Sequence, residues 1–496
     1  MEDKYNRFAS TVLFALLAFL AVYGLLIFRS APFTDETWDW TENVNAVYVA
    51  AGRFLISLYH EVFYTQGIPW AYGIASALFL SLALAWQTCI FKIEKRSLRL
   101  FYVAVCIGIP QLSYLMVCSF HVDSVCLGIL LATCSFWLID KVKNECVSDV
   151  KTLGVYAVAA LLMAFAAGAY QFLIVFPGLF SVVSVLNEKT ADTKYYANKL
   201  LRVFFVTLMA FGMYYVVALL FKLTVPDKTI VFCDNYQQSL VTWGKLSWDV
   251  HVLHIGKQWI MHLLGSAYPG EWFYATTLIP VLFLVVSSLL NNAITWGVKI
   301  LRIGMVWGIY VAPFIAIVVL GEDQGARLHL FEPFACSLLW CVMLKEIKLF
   351  NNNEYGKILM CLVSAFVLLK AVYVVSDMTN QQNRYYEENV RLAMEVKQMA
   401  LRTAVPNGVN VAELPIYVSG TYIGDDVVMQ KYKSCVSGVS TPSFYPYVRI
   451  PQLYHISESG FSVDRVEKEF STMSEYPHPS SCRYVEGKIL VKLPKR

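Results

Sequence analysis

Long apolar runs recur along the chain and are separated by short polar connections. A bilayer core about 30 Å thick requires roughly 17 to 25 apolar residues per crossing helix. The sequence has eleven runs near this length, at residues 10–28, 70–91, 100–118, 123–140, 153–168, 171–187, 203–221, 273–290, 303–320, 328–344 and 356–375. The pattern predicts a polytopic α-helical membrane protein with about 11 transmembrane helices.

Lys and Arg are unevenly divided between alternate connections, and cytoplasmic loops are the ones enriched in these residues. One set of connections holds eighteen: Lys4, Arg7, Lys92, Lys95, Arg96, Arg99, Lys141, Lys143, Lys151, Lys189, Lys194, Lys199, Arg202, Lys299, Arg302, Lys345, Lys348 and Lys357. The alternate set holds seven: Arg29, Arg53, Lys222, Lys228, Lys245, Lys257 and Arg327. We therefore expect a cytoplasmic N-terminus and, after an odd number of crossings, a C-terminus outside.

Most of the non-spanning chain is then on the outer side. It comprises a first loop at 29–69, a second loop at 222–272 and a tail at 376–496. Residues 1–375 are predicted as the transmembrane domain and 376–496 as a small extracytoplasmic α/β domain. Within the tail the pattern predicts helices at 382–403 and 463–473, and strands at 414–420 and 482–493.

Composition excludes several classes of protein. Of 496 residues, 57% are hydrophobic and only 15% charged, whereas soluble domains carry about 25% charged residues. A soluble globule, a disordered chain and a disulfide-rich scaffold are thus excluded. The net charge of +4 gives no indication of nucleic-acid binding. The twelve cysteines include no CxxC pair and have no zinc-like spacing with the eight histidines. Neither a metal nor a cofactor is predicted. Cys435 and Cys482 in the tail are either paired or free.

A carboxylate pair follows the first apolar run directly. Asp35 and Glu36 stand among Phe33, Trp38 and Trp40. An apolar interface desolvates a carboxylate and raises its basicity, which suits a general base acting on a hydroxyl. The alternative is a solvated loop beside an aromatic belt.

The next segment, 46–63, has apolar residues at helical spacing and predicts an amphipathic helix on the membrane surface. Asp35 would then lie at the mouth of a cleft covered by this helix. Arg53, in the sequence Gly52-Arg53-Phe54, can face a phosphate as a bidentate donor. The alternative for Arg53 is contact with lipid headgroups.

Three further outer turns place polar groups at the same depth, where ionisable residues point to a bundle interior or a substrate path. They hold His121 and Asp123, Tyr170 and Gln171, and Arg327 with His329 and Glu332. Arg327 is a candidate for a lipid-phosphate contact, and its alternative is a salt bridge to Glu322, Asp323 or Glu332. For His121 and Asp123 the alternative is helix capping.

The second outer loop carries several histidines. His251, His254 and, less closely, His262 share one face of a predicted helix. The nearest carboxylate, Asp249, is off that face, so a metal is disfavoured there. Lys257 is a further candidate for binding a phosphate.

Taken together, these features resemble the GT-C class of integral-membrane glycosyltransferases. The elements Thr34-Asp35-Glu36, Gly52-Arg53-Phe54, Ala169-Tyr170-Gln171 and the late Arg327 are similar to the bacterial and phage glucosyltransferase II family, which modifies O-antigen. The resemblance covers essentially the whole chain, although its motifs are short.

The resemblance implies transfer of a sugar, glucose or a related one, from undecaprenyl phosphate to a cell-surface glycan on the periplasmic face of a bacterial inner membrane. Asp35 would be the base and Glu36 its assistant, with inversion at the anomeric carbon. Arg53, Arg327 or Lys257 would bind the donor phosphate, and Trp38, His121, Asp123, Tyr170 and Gln171 would line the substrate path. The implied partners are the lipid-linked donor and acceptor, membrane lipids and, upstream, a donor synthase and a flippase. An O-antigen polymerase or ligase and a lipid-linked-sugar transporter remain open alternatives.

Overall fold

A computed structural model of the chain was analysed. It describes residues 2–28, 44–63, 69–109, 111–117, 119–142, 150–188, 193–245, 247–267, 272–321, 329–347, 353–408, 416–419, 453–455, 463–476, 478–485 and 488–492. The described residues divide into two compact units, with the boundary between Asp377 and Met378.

The first unit is helical throughout its described parts. Its helices are α1 (Glu2–Ile27), α2 (Val44–Ala50), α3 (Phe54–Phe63), α4 (Pro69–Ile90), α5 (Arg96–Gly108), α6 (Gln111–Val117), α7 (Ser119–Lys141), α8 (Val150–Ala169), α9 (Phe176–Asn187), α10 (Thr193–Lys222), α11 (Asp227–Leu240), α12 (Trp248–Leu263), α13 (Trp272–Thr276), α14 (Leu278–Leu290), α15 (Trp296–Val311), α16 (Ile315–Leu320), α17 (Glu332–Glu346) and α18 (Glu354–Ala404). The last of these continues into the second unit.

Among the described residues, eight helical segments are long and apolar enough to cross a membrane. They are Tyr5–Ile27, Trp70–Ile90, His121–Lys141, Val150–Ala169, Thr193–Lys222, Trp272–Leu290, Trp296–Leu320 and Glu354–Gln381. The chain thus has the helical, multi-pass architecture expected of an integral membrane protein. Exposed leucine, phenylalanine and valine side chains along these helices suit contact with lipid.

The other three predicted spans are shorter or broken, and each has a proline in its sequence. The run at 100–118 is divided into α5 and α6, and Ile109, which precedes Pro110, has the extended backbone that a following proline favours. The run at 171–187 begins as a 3₁₀ turn before Pro177, in the first turn of α9. The run at 328–344 becomes the 15-residue helix α17, with Pro333 in its first turn.

Ion pairs and hydrogen bonds join the helices at one end of the first unit, which we call the Lys199 end. Lys199 lies 2.7 Å from Asp140 at the close of α7. Arg302 in α15 lies 3.0 Å from Glu346 at the close of α17. Lys345 donates to the Phe91 carbonyl, 2.6 Å away, just after α4. The basic residues expected in cytoplasmic connections therefore gather at this end.

The second unit contains the later part of α18, the helix α19 (Val463–Thr472) and a four-stranded sheet. The strands are β1 (Ile416–Ser419), β2 (Leu453–His455), β3 (Cys482–Val485) and β4 (Lys488–Lys492), in the order β2-β1-β4-β3. β1 is parallel to β2 and β4, and β3 is antiparallel to β4. Phe470 and Met473 pack on Leu490 to form a small core.

Candidate functional site

The helix predicted at 46–63 is broken in the middle. α2 ends at Ala50 and α3 begins at Phe54, with the residues Ala51, Gly52 and Arg53 between them, which we call the Gly52 turn. Gly52 has a φ of +77°, a conformation that glycine adopts at little cost. The prediction of one continuous helix is wrong, because the helix is broken at these three residues, and α3 is largely buried.

Side chains from three other segments bind the backbone of the Gly52 turn. Gln171 donates to the Ala51 carbonyl at 2.6 Å, and Gln237 donates to the same oxygen at 3.0 Å. Tyr214 in α10 donates to the Gly52 carbonyl at 3.2 Å. The break between the two helices deprives these carbonyls of helical hydrogen bonds, and the three side chains supply the missing donors. The turn is therefore held from several sides.

Aromatic packing fixes the residue that follows the turn. Phe54 is fully buried and stacks on Phe221, with ring centroids 5.3 Å apart. On its other side the Phe54 ring fills the space beside Gly168, where an added Cβ would come within 2.5 Å of it. The start of α3 is thus locked between α8 and α10.

Arg53 is held on this frame in a partly buried position. Its guanidinium lies over the Tyr170 ring, 5.3 Å from the centroid, in a cation–π contact. Its Nε atom is buried and has no hydrogen-bond partner among the described residues. No carboxylate in the described parts of the chain pairs with it. A partly buried, preorganised guanidinium of this kind is suited to bind an anion such as a phosphate.

A buried acid–imidazole pair ties α3 to α7. His60 Nε2 lies 3.7 Å from Asp123 Oδ1, and neither side chain is exposed. The same carboxylate oxygen accepts from the Ser124 backbone N–H at 2.7 Å. Nearby, Tyr48 in α2 lies 3.3 Å from His121 Nδ1. The pair and this contact hold both halves of the broken helix against the start of α7.

The helix-capping alternative for His121 and Asp123 does not match this arrangement. Both residues lie inside α7, which begins at Ser119, and their side chains contact α2 and α3 instead.

The structure thus brings together some of the sequence-predicted site residues. Arg53, Tyr170 and Gln171 meet at the Gly52 turn, and His121 and Asp123 contact the helices on either side of it. Lys257 is exposed on α12, and no contact with the Gly52 turn is recorded for it among the described residues. Asp35, Glu36, Trp38 and Arg327 lie outside the described residues, as do Glu322 and Asp323.

The neighbours His60, Tyr48, Tyr214 and Gln237 were not selected from the sequence. His60 was visible as a polar residue within an apolar helical run, which is a signal of burial with a partner. Tyr214 and Gln237 gave no comparable signal, because one looks like an interfacial tyrosine and the other like a loop residue.

Comparison with known proteins gave no match: no family model, no curated protein and no solved structure is similar to this chain. The function therefore has to be argued from the residues and their geometry.

A second polar cluster lies at the start of α17. His262, His329 and Glu332 are buried, and their potential ligand atoms all lie within 4.8 Å of one another. The helix that carries His251, His254 and His262 is present as α12, but these three side chains do not converge. His251 Nδ1 lies 3.3 Å from the Gly321 carbonyl oxygen, and His254 is exposed. The sequence did not reveal the cluster, because its members come from two distant segments.

Proposed function

We propose that this protein is an integral-membrane glycosyltransferase that moves a sugar from undecaprenyl phosphate to a lipid-linked or cell-surface glycan such as O-antigen. The supporting observation is the partly buried Arg53 guanidinium, which has no carboxylate partner among the described residues and which the Gly52 turn holds beside Tyr170 and Gln171. Such a group meets the main requirement of a polyprenyl-phosphate donor, which is neutralisation of the phosphate as it leaves.

The proposed reaction is a single displacement. The Asp35 carboxylate takes the proton of the acceptor hydroxyl, with Glu36 assisting, while that oxygen forms a bond to the anomeric carbon of the sugar. The bond from the anomeric carbon to the donor phosphate oxygen breaks, and its electron pair leaves on undecaprenyl phosphate. Arg53, together with Arg327, stabilises the added negative charge, and the configuration at the anomeric carbon is inverted.

Eleven crossings form part of this proposal. α4 and α7 begin at the same end, since His60 contacts both Tyr72 and Asp123. The broken pair α5 and α6 would therefore return the chain across the membrane. α9 and α17 would each cross as well: Phe176, the first residue of α9, contacts Phe331, which immediately precedes α17, and both helices end at the Lys199 end.

With a cytoplasmic N-terminus, the Gly52 turn would lie on the periplasmic side, together with the α/β unit after residue 377. On that side the donor would be delivered by a flippase, and Trp38, His121 and Asp123 remain the candidates for the substrate path. Lys257 is exposed on α12 and remains a candidate for a peripheral phosphate contact.

The direct test is sugar transfer in a bacterial host that makes undecaprenyl-phosphate-linked glucose and an unmodified O-antigen. The wild-type chain should add one hexose per polysaccharide repeat, detected by mass spectrometry. Asp35→Asn should reduce the modification by about 100- to 10,000-fold, as loss of a general base does. Arg53→Gln should reduce it by about 10- to 100-fold, because a charge-assisted hydrogen bond contributes about 1.5–3 kcal/mol.

Lys228→Gln is the matched control, since Lys228 is exposed and belongs to the same set of basic residues. It should keep wild-type modification. A change in polysaccharide chain length without any added hexose would indicate a polymerase instead. Full modification by the Asp35→Asn protein would contradict the assignment.

A further inference from the structure

His262, His329 and Glu332 come from two segments that are distant in the sequence. His262 lies in the last turn of α12, and Glu332 is the first residue of α17, with His329 one turn earlier. All three side chains have 0% exposure. Their ligand atoms lie within 4.8 Å of one another.

Glu332 is a fully buried carboxyl. Both of its oxygens are buried and accept no hydrogen bond from the described residues. Apart from the two histidines of the cluster, the titratable side chains that interact with it are Tyr274, Tyr310 and Cys336, none of which is a cation. Burying an unpaired carboxylate is costly, so a cation beside Glu332 would remove a large penalty.

The two imidazoles complete a ligand set. Their ring centroids are 4.5 Å apart, and the Nε2 atom of His262 and the Nδ1 atom of His329 are both buried. Phe314 packs edge-on against His262, with centroids 4.9 Å apart, and Tyr274 stacks on Tyr310 beside them. Two histidines and one carboxylate in an apolar shell are a ligand set used for Zn²⁺ and Fe²⁺.

We propose that His262, His329 and Glu332 bind one divalent transition-metal ion, with Zn²⁺ the expected occupant. Ligands of a tetrahedral zinc lie about 2.0–2.2 Å from the ion and so about 3.4 Å from each other. The ligand atoms would have to approach one another by up to about 1.4 Å, which side-chain rotations can supply. The ion would join α12 to α17 and leave a fourth position for water.

This site is separate from the proposed sugar transfer, in which the metal takes no part. It also goes against the sequence-based expectation of no metal. A different partner for Glu332 would be Arg327, which is five residues earlier in the sequence. That arrangement predicts that no metal binds and that removing Arg327 strongly destabilises the protein.

The experiment uses the purified full-length protein in lipid nanodiscs, stripped with EDTA and then dialysed against ZnCl₂. Mass spectrometry of the metal content should show one zinc per chain. Substitution by Co²⁺ should give the visible absorption of a low-coordinate site with nitrogen and oxygen ligands. His329→Gln and Glu332→Gln should each lower zinc affinity by at least about 100-fold, since loss of even a supporting residue costs about 10- to 100-fold.

His254→Gln is the matched control because His254 lies exposed on the same helix α12; it should bind zinc as the wild type does. Thermal unfolding checks that each variant is folded. Zinc should raise the Tm of the wild type and of His254→Gln, but not that of Glu332→Gln. The proposal is overturned if the wild type binds less than a tenth of an equivalent of zinc, or if the two ligand variants bind as tightly as the control. Destabilisation by Arg327→Gln without any zinc binding to the wild type would assign Glu332 to Arg327.

Discussion

Replacing Gly52 by alanine tests the backbone geometry on which the Arg53 site depends. At φ +77°, an alanine pays about 1–2 kcal/mol for the left-handed conformation. The new Cβ would also stand 2.5 Å from the Tyr214 hydroxyl. Moving that hydroxyl away breaks its bond to the Gly52 carbonyl, which contributes about 0.5–1.5 kcal/mol. The alanine also restricts the unfolded chain and returns about 0.4–1 kcal/mol, so the expected net loss is about 2 kcal/mol.

A double-mutant cycle separates the two contributions. Tyr214→Phe alone should cost about 1 kcal/mol through the lost hydrogen bond. In the Gly52→Ala/Tyr214→Phe protein the clashing hydroxyl is absent, and the nearest ring atom, Cζ, is 3.6 Å from the Cβ position. The double variant should therefore lose about 2 kcal/mol and not the additive 3, a coupling of about 1 kcal/mol.

The assay is reversible unfolding in mixed micelles titrated with SDS and followed by circular dichroism. Gly24→Ala is the control, since Gly24 lies within α1 and an added Cβ has nothing within 4 Å. That change should be neutral or stabilising by up to about 1 kcal/mol, as expected for alanine in a helix. Equal stability of Gly52→Ala and Gly24→Ala would refute the argument, and so would strict additivity in the cycle.

Three further predictions concern other parts of the chain. Alkaline phosphatase fused after Arg496 should be active and green fluorescent protein dark, because eleven crossings place the two termini on opposite sides; the reverse result would favour an even number. His60→Leu should cost about 3 kcal/mol by leaving Asp123 buried without its partner, and adding Asp123→Leu should restore most of the stability; equal losses in both proteins would contradict this. Burial raises the pKa of the Cys482 thiol, although its hydrogen bond from Thr403 opposes this. Because the thiolate is the reactive form, iodoacetamide should modify the folded protein more slowly at pH 8 than the denatured one. Cys482 is a free thiol, so this reaction should need no reductant.

The sequence predicted the membrane architecture because a helix surrounded by lipid needs a long apolar run, which the hydropathy of the sequence reveals directly. It was less successful where proline divides such runs, as between α5 and α6, since hydropathy averages over the break. The sheet of the second unit has strands within both predicted segments, but its parallel pairing of β1 with β4 depends on contacts between segments far apart.

For the candidate site, residue type was more informative than position. Arg53, in the Gly52-Arg53-Phe54 element, was named because a guanidinium can bind a phosphate, and the structure shows a break between two helices there. Gln171 was named from its turn, whereas its bond to the Ala51 carbonyl could not be foreseen. The cluster of His262, His329 and Glu332 could not be predicted, since sequence spacing carries no information on how α12 packs against α17.

The central claim is tested most directly by following synthetic radiolabelled undecaprenyl-phosphate glucose in proteoliposomes that contain the protein and lipid-linked O-antigen. The wild type should transfer label to the glycan and release undecaprenyl phosphate in equal amounts. Asp35→Asn should bind the donor with unchanged affinity yet release almost none. Label transfer by Asp35→Asn at the wild-type rate, or none by the wild type, would contradict the account.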